Sequence, residues 1–108
     1  MKYRVTSTLE GYFTSVYLFL EGKPIHMSYN GENTYRSTDY LEVEDENLDV
    51  VMRVYGLNGT AWALKISVTR DDSPSYSKKF EPKGEIRKNQ TDLLTEQVSL
   101  TEKETKSK

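Results

Sequence analysis

The strongest constraint on this chain is a two-residue period that runs from Leu48 to Thr69. Leu48, Val50, Met52 and Val54 fall on one side of an extended segment, with Asp49, Val51, Arg53 and Tyr55 opposite. Past Gly56-Leu57-Asn58-Gly59-Thr60, the pattern resumes with Trp62, Leu64, Ile66 and Val68 on the apolar side. Successive side chains of a strand point to opposite faces, whereas a helix would repeat its apolar positions at three and four. The spacing therefore predicts two strands whose even-numbered residues form the core. A short link containing Asn-Gly between two alternating runs also predicts that they pair as a β-hairpin.

The rest of the chain reads the same way. Tyr3 to Leu9 and Phe13 to Leu20 are strand candidates divided by Glu10-Gly11. The second is apolar or aromatic on both faces, as expected of a central strand or of one whose outer face meets a partner. Ile25-Met27-Tyr29 predicts a short strand between two turns, and Tyr40 to Glu44 another. Tyr76 to Phe80 follows a loop at Asp71 to Ser75. Between Thr91 and Leu100 the pair Leu94, Val98 fits a helix, and Leu94, Glu96, Val98, Leu100 fits a strand. The β-prone run Val98 to Thr101 favours the strand.

Seven to eight strands separated by turn signals predict an all-β, antiparallel β-sandwich of immunoglobulin-like or C2-like type. A chain of 108 residues has room for one core. Residues 1–100 are assigned to that single domain. Residues 101–108 are charged and lack apolar side chains, which predicts a disordered tail.

Composition narrows the chemistry. There is no cysteine, which rules out a disulfide framework, a thiolate zinc site and a thiol nucleophile. The longest apolar run, Val16 to Leu20, is far too short to span a bilayer, and nothing at the N-terminus resembles a secretory leader. The cytoplasm is the expected compartment, with no membrane partner. A formal net charge of −2, from 15 basic and 17 acidic side chains, supplies no general attraction to nucleic acid. The basic stretch Lys78, Lys79, Lys83, Arg87 and Lys88 is broken by Glu81 and Glu85, and reads as edge protection rather than a nucleic-acid track.

His26 is the only histidine, and no nucleophile-elbow motif accompanies it, so no catalytic residue is assigned. The acidic residues Asp45, Asp49, Asp71 and Asp72 are the candidate calcium ligands, because C2-like sandwiches gather loop carboxylates around a hard cation. No cofactor is expected. The compositional excess is in tyrosine, eight residues against three Phe and one Trp. Tyr12, Tyr17, Phe19, Tyr29, Tyr35, Tyr40 and Tyr55 are the candidate binding residues, since an amphipathic ring suits a half-wet recognition surface. Trp62 shares its phase with Leu64 and Ile66 and belongs to the core. The resulting expectation is a non-enzymatic protein-interaction module. It would act through an exposed sheet edge or a tyrosine-rich sheet face, on a protein partner or a second copy. A carbohydrate- or calcium-binding sandwich is the alternative.

Overall fold

In the computed structural model the chain is described for residues 2–44, 46–70 and 73–100, with side chains for all of these except 73–76. Ten strands follow in order: β1 (Lys2–Glu10), β2 (Ser15–Leu20), β3 (Lys23–Ile25), β4 (Ser28–Tyr29) and β5 (Thr34–Glu42). Then come β6 (Asn47–Tyr55), β7 (Ala61–Arg70), β8 (Ser73–Phe80), β9 (Lys83–Glu85) and β10 (Thr91–Ser99). They form two antiparallel sheets. One has the order β4-β5-β1-β7-β8, with β9 pairing β7, and the other has the order β10-β6-β2-β3. The two sheets face each other across one core, so the fold is an antiparallel β-sandwich.

Alternation is what builds this core. Val5, Leu9, Leu64, Ile66 and Val68 point inward from the first sheet, and Leu18, Leu20, Val50, Met52 and Val54 meet them from the second. Each such side chain contributes about 1.5–3 kcal/mol on burial. The even-numbered set from Leu48 to Val68 is buried as its period requires. Ser7 is the exception on the inner face: it is buried, and its Oγ has no hydrogen-bond partner among the described residues.

The predicted hairpin does not form. β6 pairs with β2 and β10, whereas β7 pairs with β1, β8 and β9 in the other sheet. The link Gly56–Thr60 crosses the sandwich instead of closing a turn between neighbours. It is tied to the segment before β10: Gly56 N donates to Gln90 O at 3.0 Å, and Gly59 N to Ile86 O at 2.6 Å. Gly56 is buried there, with a Cβ position only 3.2 Å from Tyr12 O and 3.3 Å from Ile86 Cδ1, so a larger side chain would displace the crossing. Hydrophobic period reports which side chains are inside, and two strands on opposite sides of a core satisfy it as well as two neighbours do.

Further boundaries differ from the sequence reading, among them the start of β8 at Ser73, inside the loop expected over Asp71 to Ser75. The segment Ile25 to Tyr29 is broken at His26-Met27, where the chain leaves β3 in one sheet and enters β4 in the other. β5 begins six residues before Tyr40, pairing along its whole length with β1 from Lys2↔Glu42 to Glu10↔Thr34. The strand assignment for Thr91 to Leu100 agrees with β10. The tail assigned to 101–108 lies outside the described residues.

A polar link joins the sheets. Trp62 on β7 is buried with the core, and its Nε1 donates to Asp92 Oδ2 on β10 at 2.7 Å. β9 passes directly beneath the indole at Gly84, whose Cβ position would lie 2.5 Å from Trp62 Cζ2. Glycine is needed here for close approach rather than for an unusual dihedral.

Candidate outer-face interaction site

The alternation that buries one side of β2, β6 and β10 leaves the other side in water. The register places three rows across this outer face. Pro24, Phe19, Val51 and Thr95 form one, Tyr17, Arg53 and Leu93 the next, and Ser15, Tyr55 and Thr91 the third. Tyr17 is 50 % exposed, Leu93 49 % and Tyr55 37 %, while Phe19, Val51 and Arg53 are half-buried among them.

The aromatic pair on this face is ordered by its neighbours. Tyr17 and Tyr55 meet edge to face, with centroids 6.0 Å apart and planes at 88°. The Arg53 guanidinium carbon lies 5.9 Å from the centre of the Tyr55 ring, a cation–π geometry. Arg53 Nη1 also donates to Thr91 Oγ1 at 3.2 Å, and Thr91 Oγ1 in turn donates to Val54 O at 2.9 Å. Rings and guanidinium are thus held by strands on both sides, which lowers the entropy lost when a partner covers them.

The structure gathers only part of the candidate set here. Tyr17, Phe19 and Tyr55 share the face. Tyr29 and Tyr35 pack at the β4–β5 end with tilted rings, 4.9 Å between centroids, with Phe13 6.1 Å beyond Tyr35. The Tyr29 hydroxyl is fixed there by Asn33, accepting from its backbone N at 3.1 Å and donating to its Oδ1 at 3.3 Å. Tyr40 points outward from the opposite sheet at a position paired with Arg4, and Tyr12 is exposed in the β1–β2 connection. The side chain of Tyr76 lies outside the described residues.

Val51, Arg53 and Leu93 also belong to the face, and none of them is among the candidate binding residues read from the sequence. Val51 and Arg53 share the odd phase of Tyr55 within β6, so that phase was their signal. Leu93 carries no comparable signal, because it breaks the apolar phase of Leu94, Val98 and Leu100 and reads as noise until β10 is placed beside β6.

The remaining candidates fall elsewhere. Of the proposed calcium ligands, Asp45, Asp71 and Asp72 lie outside the described residues. Asp49 Oδ1 accepts from Gln97 Nε2 at 2.9 Å. Among the described residues no three His, Cys, Asp or Glu side chains are grouped to hold a metal. His26 is exposed and lines a pocket of about 330 Å³ with Val16, Leu18, Ile25, Met27 and Tyr35. Neither a serine nor a carboxylate lines that pocket. Lys83, Arg87 and Lys88 border a groove beside Trp62 that Glu85, Asp92 and Glu96 also line. No helix among the described residues is long and apolar enough to cross a membrane. No family model, curated protein or solved structure matches this chain.

Proposed function

We propose that this protein is a non-enzymatic protein-interaction module that binds its partner on the outer face of the β10-β6-β2-β3 sheet. The observation that carries the reading is the concentration of Tyr17, Tyr55, Phe19, Leu93 and Arg53 on that one solvent-facing surface. Tyr and Arg are enriched at the energetic centres of protein interfaces, and half-buried apolar neighbours such as Val51 exclude water around them. The perpendicular packing of Tyr17 on Tyr55 favours a protein over a sugar, because a sugar ring stacks on a flat aromatic surface. The cytoplasm is the compartment proposed, in keeping with the cysteine-free composition.

The test is comparative capture from host extract. The full chain, the double variant Tyr17→Ser/Leu93→Ser and the control Tyr40→Ser are immobilised in parallel. The expected result is a protein retained by the wild type and by Tyr40→Ser but lost with the double variant. Retention by all three, or by none, overturns the reading. A glycan array and a calcium titration address the alternative class. Saturable binding to either that survives Tyr17→Ser/Leu93→Ser would replace this reading.

A further inference from the structure

We infer that the open edge of β10 joins this chain to a second copy of itself, strand against strand, about a two-fold axis at Thr95. This goes beyond the face-binding reading, because it uses the backbone edge of the sheet and not its outer surface.

The starting observation is a contrast among the sheet edges. β4 is two residues long, and β3 is three residues long with Pro24 at its centre. β8 is longer, but it contains Pro74, Lys78 and Lys79, and its pairing with β7 shifts register at Thr69/Arg70. Brevity, proline, lysine and irregular pairing are the devices by which sheets discourage unwanted strand addition. β10 has none of them. Its nine residues, Thr91–Ser99, contain no Pro, Gly, Lys or Arg, and they keep an unbroken register with β6 from Thr91↔Tyr55 to Ser99↔Asn47. Among the described residues no strand pairs with its far side.

The hydrogen bonds at the two ends of β10 show which backbone groups that far side presents. Gln90 O accepts from Gly56 N at 3.0 Å and Leu100 N donates to Glu46 O at 2.8 Å, both toward the ends of β6. Thr91 N turns the other way, to Lys88 O at 3.4 Å. Backbone direction alternates along a strand, so even-numbered residues bond to β6 and odd-numbered residues face outward. Leu93 N is already taken by Asp92 Oδ1 at 2.9 Å. Among the described residues nothing pairs with the N–H groups of Thr95, Gln97 and Ser99 or the outward carbonyls beside them, which are left for a partner strand.

The side chains then select the partner as another β10. An antiparallel copy centred on Thr95 pairs the strand from Asp92 to Val98, short of the Lys88–Thr91 bridge: Thr95 with Thr95, Leu93 with Gln97, Leu94 with Glu96 and Asp92 with Val98. No carboxylate meets a carboxylate directly, which a centre at Leu94 or Glu96 would impose through Asp92–Glu96 or Glu96–Glu96 pairs. Facing threonines are a favourable cross-strand pair. The arrangement is isologous and therefore closes as a dimer, leaving no further edge of this kind to propagate a fibre. It also sets the two exposed Leu93 side chains on one continuous outer face.

The test is sedimentation of the full chain from about 1 µM to about 1 mM, read together with amide exchange. A concentration-dependent dimer is expected, in which the Thr95 and Gln97 amides exchange more slowly as dimer accumulates. Thr95→Pro removes an outward N–H that bonds nothing among the described residues, so the fold is kept while the dimer weakens about tenfold or more. Thr95→Lys, which puts like charges at the axis, weakens it comparably and serves if the proline variant fails to fold. A monomer throughout the range, or a dimer indifferent to both Thr95 variants, overturns the inference. Loss of the dimer on Tyr17→Ser with no effect of Thr95→Lys also overturns it, and would instead support association through the outer face.

Discussion

On the outer face of the sheet formed by β5, β1 and β7, Arg4, Arg36, Thr38 and Lys65 stand in water beside the half-buried Thr6 and Thr8, with Tyr40 as an isolated ring. Thr6 and Thr38 share a hydroxyl hydrogen bond at 3.3 Å across β1 and β5. On the opposite outer face, the equivalent positions hold Tyr17, Phe19, Val51, Arg53, Tyr55 and Leu93. Both sheets bury the same kind of aliphatic side chain on their inner faces, so folding makes the same demand on each. Folding makes no demand for aromatic residues on a solvated face, as the threonine-rich side demonstrates within the same molecule. The unequal outer faces are what the proposed recognition role would require, since contiguous exposed apolar surface is otherwise a liability.

The largest effect tests whether the two faces share one support. Met52→Ala removes a fully buried side chain between the sheets and is expected to cost about 2–5 kcal/mol. Urea unfolding followed by tryptophan fluorescence and by circular dichroism should give coincident transitions. Separate midpoints would mean that the two faces ride on independently stable layers. Next in size is Gly84→Ala, which drives a methyl group against the Trp62 indole and should cost about 1–3 kcal/mol, with a shift in tryptophan emission. An unchanged midpoint would show that β9 yields freely and does not brace the junction of the sheets.

Smaller effects sharpen the contrast itself. Tyr17→Ser/Leu93→Ser should alter stability by only about 1 kcal/mol, mostly from the lost Tyr17–Tyr55 packing, while abolishing partner capture. A loss of several kcal/mol would make the aromatic face part of the fold and remove the reason for assigning it to recognition. Smallest of all is Tyr40→Ser on the polar face. Its thermal midpoint should correspond to a change within about 0.5 kcal/mol. A larger change would show that the lone ring is itself a structural contact and an unsuitable control.

The period of two from Leu48 to Val68 determined, without any structure, which residues of β6 and β7 are buried and that they are strands. It did so because pleating fixes the side-chain direction locally, residue by residue. The sandwich class followed from the repetition of that signal along the chain. The partners of β6 and β7 were decided only by tertiary structure, since Gly56–Thr60 can fold back or cross over and the tie to Ile86 and Gln90 selects the crossing. The same holds for the tyrosines. Their number was visible in the sequence, but the grouping of Tyr17 and Tyr55 with Leu93, away from Tyr40 and Tyr29, depends on β2, β6 and β10 lying side by side. Contacts between residues as far apart as Tyr17 and Leu93 come from the register of separate strands, which no local pattern encodes.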